Sequence, residues 1–113
     1  MYHYNTKEHA IDTISEKKIS REDVAQYTSE EWAKNVHGAI IITAVFDRTV
    51  RKYGSRGYRY ILLEAGHVGQ NICLGAAELG FSARPMWGVN EEQFEELLQL
   101  DSAHEAVVYA LFI

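Results

Sequence analysis

Two uninterrupted apolar runs limit what this chain can fold into. Residues 39 to 46 read AIIITAVF and residues 106 to 113 read AVVYALFI, and neither run contains a charge. Continuous apolar segments of this length, rich in β-branched residues, are typical of strands that are covered on both faces. We therefore expect two buried strands, with residues 39–46 forming a central strand of the sheet.

A long helical pattern separates the two runs. From residue 58 to residue 79 the apolar side chains fall on one broad helical stripe, and others extend it around the cylinder, namely Leu63, Cys73 and Leu74. This distribution predicts a largely enclosed helix. In an exposed helix each glycine would cost about 1 kcal/mol relative to alanine. The glycines in this helix therefore predict the close approach of another backbone or of a flat ligand: Gly66, Gly69 and Gly75.

Shorter signals complete the expected fold. Residues 2–14 read as two short strands around a polar turn. Ser20 and Asp23 form a capping box before a short helix, and Asn90 caps a later helix that has acidic residues in its first turn. Pro85 indicates an edge strand or a loop. The chain is thus predicted to be an α+β fold with an antiparallel-rich sheet packed against helices.

Length and composition narrow the class of protein. The 113 residues suffice for one domain, residues 1–113, and 47% apolar with 24% charged residues is ordinary for a globular protein. Cys73 is the only cysteine, which excludes an internal disulfide and favours a small buried side chain. The N-terminus is polar and the apolar runs are far shorter than the ~20 residues that span a bilayer. We expect a cytoplasmic protein with no membrane segment.

The positive charge is concentrated in one segment. Residues 48 to 59 hold five bases and no acid, which leaves six bases against sixteen acids elsewhere, a net charge of −10. This asymmetry indicates capture or steering of an anion. Two other interpretations remain open at this point: a solvated basic turn without a function, and a nucleic-acid site with tyrosines as stacking platforms. The acidic remainder of the chain argues against nucleic acid, and we expect none to bind.

Two short segments carry candidate chemistry. Lys52 and Tyr53 are adjacent, and the positive charge of Arg51 beside them favours the neutral amine of Lys52, which can then accept a proton. Residues 85–88 read PMWG, where glycine allows a planar ligand to approach the backbone and methionine and tryptophan supply polarizable surface. An ordinary turn with a core tryptophan explains the second segment equally well.

A metal site is not expected. Glu64 and His67 have the i, i+3 spacing of metal ligands on one helix face, but a dinuclear site needs a second such pair, and the chain has none. We therefore expect His67 to be a hydrogen-bonded histidine of the core or of a pocket. Sequence motifs of a serine hydrolase or of a nucleotide-binding loop are also absent.

With these segments in view, the chain resembles the C-terminal part of nitroreductase-superfamily flavoenzymes. It is most similar to the dehydrogenases that oxidise thiazoline and oxazoline rings in modified peptides, the streptolysin and microcin type. The resemblance covers nearly the whole chain and is strongest over RKYGSRGYRYILLEAGHVGQNICLGAAELGFSARPMWGVNEEQFEELLQLD. The tyrosine and arginine lead-in, the EAGHVGQN helix and the passage from LG to WGV occur there in order.

The resemblance implies a fold, a cofactor and site residues. The fold would be nitroreductase-like, with the glycine-dotted central helix at a dimer interface, and flavin mononucleotide (FMN) would be the cofactor. Lys52 and Tyr53 would match the lysine–tyrosine pair that is important for catalysis in the azoline-oxidising branch. The segment 85–88, which consists of Pro85, Met86, Trp87 and Gly88, would pass the flavin ring, with the backbone N–H groups that it has near N5 and O4.

The resemblance also implies that a part of the domain lies outside this chain. The family's N-terminal segment that binds the flavin phosphate has no match here, so Arg48, Arg56 or Arg59 would be the substitutes, and we take Arg56 and Arg59 as the cofactor-binding pair. Residues 1–113 would then be the C-terminal half of a nitroreductase-like domain: a split subunit, a fragment or a degenerate half.

Two functions follow from this resemblance. The first is an FMN-dependent oxidoreductase acting on a peptide or a small molecule, as a homodimer or as a heteromer with a subunit that supplies the missing half. The second is a non-catalytic, flavin-free assembly subunit that pairs with a flavin-bearing partner.

Overall fold

A computed structural model describes all residues from 1 to 113 and has the predicted α+β architecture, with antiparallel strands packed against helices. The elements in chain order are β1 (Tyr2–Asn5), β2 (Ala10–Thr13), α1 (Arg21–Thr28), a 3₁₀ helix (Glu31–Asn35), β3 (Ala39–Val45), α2 (Phe46–Tyr53), α3 (Arg56–Glu78), β4 (Arg84–Met86), α4 (Glu91–Leu98) and β5 (Glu105–Phe112). No helix of the chain combines the length and the apolar character needed to cross a bilayer.

The main sheet has three strands in the order β3-β5-β4, and both pairs are antiparallel. The prediction that residues 39–46 form a central strand is therefore wrong, because β3 lies at an edge and β5 lies in the centre. β5 ends in three buried residues, whereas β3 begins with two exposed ones. The two runs are equally apolar, so their sequences do not tell which one has a neighbour on each side.

A β-bulge in β5 decides which residues face which helix layer. Ile42 pairs with Tyr109, but Thr43 pairs with Val107, which leaves Val108 as an extra residue. As a result Val108 and Tyr109 both lie on the side of α3, where Val108 lines a cleft and Tyr109 contacts Gly69.

The main core lies on the opposite face of the sheet, beneath α1, the 3₁₀ helix and α4. Its buried cluster consists of Phe94, Leu97, Val107, Ala110 and Phe112. The helices above it begin as predicted. Ser20 and Asp23 form both hydrogen bonds of a capping box, and the Asn90 side chain accepts a hydrogen bond from the backbone N–H of Gln93.

The long helix α3 is more exposed than predicted. It runs from Arg56 to Glu78, close to the expected bounds, but only a narrow stripe of it is buried: Gly57, Ile61, Ala65, Gly69 and Ala76. The expectation of a largely enclosed helix is wrong for the single chain, because the sheet and α2 cover only one side of it. Cys73 is half-buried for the same reason.

Candidate functional site

The basic segment folds as a helical hairpin made of α2 and the first turns of α3. β3 continues directly into α2, and Gly54, with φ of +60°, makes the turn after it. Gly57 then lies against the backbone of α2, where an added Cβ would stand 3.0 Å from the Cα of Val50. This close approach folds the charges of α2 back beside those of α3.

Lys52 and Tyr53 lie at the end of α2, in contact with the start of α3. The Nζ atom of Lys52 is 5.0 Å from the centre of the Tyr53 ring, which is within cation–π range. The Tyr53 ring meets the Tyr60 ring edge to face, with centres 5.2 Å apart. All three side chains are exposed, so the amine and both phenol groups are accessible to a ligand.

A second aromatic contact joins the two helices farther along the hairpin. The rings of Phe46 and Tyr58 are stacked, with centres 5.7 Å apart and planes inclined by 18°. Beside them an open cleft of about 510 Å³ is lined by Ser55, Arg56, Tyr58, Arg59 and Tyr60. The predicted residues Arg56 and Arg59 therefore lie together, among tyrosines.

The cations of this hairpin are almost all without an acidic partner. The one ion pair joins Arg51 to Asp47 at 3.8 Å, on the exposed surface of α2. The others make no ion pair: Arg48, Lys52, Arg56 and Arg59. An exposed cluster of unpaired cations favours an anion at this place.

A second cleft, of about 370 Å³, lies between β3, α2 and α3. Its walls are mostly apolar, and two side chains of opposite charge line it, Arg48 and Glu64. At the same end of β3 the Thr43 hydroxyl donates a hydrogen bond to the Glu105 carboxylate at 2.5 Å. This volume is within the range of small-molecule pockets.

The segment 85–88 lies at the other edge of the sheet. Pro85 is in β4, as expected of a proline in an edge strand, and Trp87 follows it with 79% of its surface exposed. The expectation of a core tryptophan therefore does not apply to Trp87. Gly88 is also open, since a Cβ added there would meet no atom within 4 Å.

Trp32 joins the start of β4 to the core. The guanidinium of Arg84 lies 4.2 Å from the centre of the Trp32 ring, which packs edge to face on Phe112. The indole N–H of Trp32 donates a hydrogen bond of 2.9 Å to Glu30. This anchor was not predicted, because Trp32 and Arg84 are far apart in the sequence and neither belongs to a recognisable motif.

The structure brings some of the predicted site residues together and not others. Lys52 and Tyr53 adjoin the cleft that Arg56 and Arg59 line, whereas residues 85–88 line neither of the two clefts.

β3 and β4 nevertheless run in the same direction, since each is antiparallel to β5. Met86 and Ile41 flank the same residue of β5, about 10 Å apart across two strand spacings. The chain thus leaves both strands toward the same end of the sheet.

The helix α3 presents an unpredicted apolar surface on its outer side. Leu63 and Leu74 are 55% and 61% exposed, on the side opposite the buried stripe. His67 lies on the same side, exposed, with Nδ1 2.7 Å from the carbonyl oxygen of Leu63. It is hydrogen-bonded as expected, but the prediction of a core or pocket position is wrong. No three histidine, cysteine or acidic side chains gather closely enough to hold a metal ion.

Comparison with curated proteins finds relatives that are longer than this chain. A protein of Methanocaldococcus jannaschii named as a nitroreductase is 30% identical over 100 residues, which cover 88% of this chain and 50% of that protein. The microcin B17-processing protein of Escherichia coli is 28% identical over 115 residues, which cover 99% of this chain and 42% of that protein. The chain thus spans half or less of the length of these relatives.

Solved structures contain the same fold. A crystal structure from Anabaena variabilis, also named as a nitroreductase, matches 98% of this chain with a TM-score of 0.90 and 28% identity, over 23% of its own length. The microcin synthetase complex of E. coli, with truncated pro-MccB17 bound, matches 98% of this chain with a TM-score of 0.85, over 42% of the matched chain. At 24% identity the second match establishes the fold alone.

The nitroreductase family model matches residues 2–113, which is all of the chain except its first residue. The fold predicted from the glycine-dotted helix and the WGV passage is therefore confirmed. The chain belongs to the nitroreductase family.

Proposed function

We propose that this chain is the C-terminal half of an FMN-dependent oxidoreductase domain that oxidises azoline rings in a peptide. The observation that carries the proposal is the unpaired Lys52 amine beside the Tyr53 ring, at the rim of a cationic cleft in a nitroreductase-family chain. The name of the microcin B17-processing relative supports a peptide as the substrate.

The residues of the chain fit FMN in two respects. Arg56 and Arg59 have no acidic partners and could neutralise a phosphate, which carries about −1.5 to −2 charges. Residues 87 and 88 offer a flat ring the exposed indole of Trp87 and open space beside Gly88. When bound, FMN would supply a two-electron acceptor for a hydride.

The proposed chemistry divides between the cofactor and two side chains. Converting an azoline to an aromatic azole removes a hydride from the carbon next to the ring heteroatom and a proton from the neighbouring carbon. We assign the removal of that proton to Lys52 or Tyr53. The other cations of the hairpin would stabilise the negative charge that develops as the proton leaves.

The assembly proposed with this function has a second polypeptide. In a homodimer the outer side of α3, with Leu63 and Leu74, would lie at the interface. In a heteromer a partner would supply the part of the domain that the relatives have and this chain does not span. The multi-subunit microcin synthetase complex supports the heteromer.

A visible absorption spectrum and a turnover assay test the proposal together. The purified chain, alone or with the partner, should show flavin absorption in a stoichiometric amount. Lys52→Ala should keep that absorption and lose turnover of an azoline-containing peptide. Lys7→Ala, at an exposed lysine between β1 and β2, is the matched control. Normal turnover by Lys52→Ala would contradict the role of Lys52.

A second candidate function is a flavin-free assembly subunit. It is favoured by the separation of residues 85–88 from the cleft of Arg56 and Arg59, and by the large exposed surface of α3. A colourless protein that still associates with a flavin-bearing partner would support this function over the first.

A further inference from the structure

The α2–α3 hairpin carries more positive charge than one phosphate can neutralise. Residues 46 to 60 hold five cations and the single carboxylate of Asp47, a net charge of +4. A flavin phosphate of about −2 at Arg56 and Arg59 would leave about two positive charges unbalanced. The nearest further acid along α3 is Glu64, which lines the neighbouring cleft together with Arg48.

The cations are spread out rather than focused on one point. Arg48, Arg51 and Lys52 are spaced i, i+3 and i+4, so they share one face of α2 and extend over about 6 Å of its axis. Arg56 and Arg59 add a second row at the start of α3. Spaced cations are complementary to spaced carboxylates and not to a single compact anion.

Exposed aromatic rings lie among these charges. Tyr53, Tyr58 and Tyr60 are 46%, 55% and 41% exposed, and their contacts with one another and with Phe46 hold them in place. Tyrosine and arginine are among the residues that are most enriched where proteins bind other polypeptides. A rigid tyrosine loses little conformational freedom on binding.

We propose that this hairpin surface, the charged and aromatic side chains of residues 46–60, docks an acidic segment of a polypeptide. The inference rests on the proposed function for its meaning, since the docked polypeptide would be the peptide substrate and Lys52 would lie at the docking surface. A short acidic segment fits better than a nucleic acid, because the remainder of the chain is strongly negative and repels a long polyanion.

Binding of short peptides to the 113-residue chain tests the proposal directly. The probe is a blocked peptide of alternating glutamate and glycine, titrated by calorimetry at low salt, and the matched control peptide has glutamine in place of glutamate. The glutamate peptide should bind, more weakly as salt is added, and the glutamine peptide should not. Equal binding of the two peptides, or no binding of either, would overturn the docking surface.

Variants locate the binding. Arg48→Gln and Arg51→Gln each remove an exposed cation that is neither the proposed proton acceptor nor one of the two arginines proposed for the flavin phosphate. Each should weaken binding of the glutamate peptide by up to about five-fold. Lys7→Gln removes the same charge from the turn between β1 and β2, outside residues 46–60, and should leave the affinity unchanged. If Lys7→Gln lowers the affinity for the peptide as much as Arg48→Gln does, the binding site is not on α2.

Competing ligands separate the alternatives. An oligothymidylate that binds more tightly than the glutamate peptide would overturn the proposal in favour of a nucleic acid. Self-association at low salt that Arg48→Gln abolishes, without peptide binding, would assign the surface to the acidic helix α4 of a second copy, which carries Glu91, Glu92, Glu95 and Glu96.

Saturating FMN distinguishes this inference from the proposed function. If the glutamate peptide still binds when FMN is bound, the hairpin has more positive charge than the flavin phosphate neutralises, as proposed. If FMN abolishes peptide binding, the proposal is overturned. A chain that binds the glutamate peptide but binds no FMN, either alone or with the partner, contradicts the oxidoreductase and leaves the docking surface intact. A protein that binds FMN and turns over its substrate but does not bind the glutamate peptide contradicts the docking surface and leaves the oxidoreductase intact.

Discussion

The ring of Tyr109 occupies the space where a side chain at Gly69 would begin. A Cβ built at Gly69 would stand 2.6 Å from Cε1 and 2.9 Å from Cδ1 of Tyr109. The bulge at Val108 causes this contact, because it turns Tyr109 toward α3. The close helix–sheet packing at the middle of α3 thus depends on one glycine and one tyrosine.

Gly69→Ala should therefore destabilise the chain. Overpacking costs about 1–3 kcal/mol and exceeds the ~1 kcal/mol that alanine gains over glycine in a helix. We expect the free energy of unfolding in urea to fall, by up to about 2 kcal/mol. Gly66→Ala is the control, because a Cβ there meets no atom within 4 Å and should raise stability by about 0.5–1 kcal/mol. If both variants shift in the same direction, this packing account is wrong.

Gly57→Ala should disturb the charged hairpin. The added Cβ would stand 3.0 Å from the Cα and 3.1 Å from the N of Val50, and backbone atoms cannot rotate away as a side chain can. We expect α2 to move outward, with a loss of the Tyr53–Tyr60 contact and a changed near-ultraviolet circular dichroism of the tyrosines. FMN and acidic-peptide binding should weaken together, and an unaltered spectrum would show that α2 tolerates the displacement.

Local signals were predicted well from the sequence, and long-range partners were not. The Ser20–Asp23 capping box, the Asn90 cap and the edge position of Pro85 all depend on residues a few positions apart, and each is confirmed. The order of the strands depends on which apolar run finds two neighbours, and periodicity carries no information about that. The placement of β3 was wrong for this reason.

The candidate site divides along the same line. Lys52, Tyr53, Arg56 and Arg59 could be grouped from the sequence because a single turn at Gly54 folds them together. The anchor between Trp32 and Arg84 could not, because it joins two segments through the packing of the core. Exposure of α3 was missed because an apolar helix surface looks the same in a sequence whether this chain or another copy covers it.

The capping box of α1 predicts a change in stability at acidic pH. The pKa of the Asp23 carboxyl is lowered below its ordinary value of 3.8 by hydrogen bonds with Ser20. The bond with the Ser20 side chain has the larger effect, and the bond with the Ser20 backbone N–H adds to it. A group whose folded pKa is depressed stabilises the fold above its unfolded pKa, and that contribution is lost as the pH falls through the folded value. Asp23→Asn should therefore reduce stability at pH 6 and leave a smaller difference from the unmodified chain below about pH 3.

Urea unfolding at several pH values measures this difference. Asp12→Asn, at an exposed position of β2, is the control for a general loss of negative charge. A stability difference between Asp23→Asn and the unmodified chain that stays constant from pH 6 to below pH 3 would show that the carboxylate charge does not act through the cap.

The outer side of α3 predicts how the chain associates. Leu63 and Leu74 are exposed on the side opposite the buried stripe, and a proposed homodimer would cover them. Leu63→Glu combined with Leu74→Glu should convert a dimer to a monomer in size-exclusion chromatography with light scattering, because each would bury an unpaired carboxylate at the interface. Ile11→Glu together with Tyr2→Glu adds the same charge to exposed apolar positions of β2 and β1 and should leave the dimer intact. If the α3 variant remains a dimer, or if the variant in β1 and β2 becomes a monomer, the interface lies elsewhere.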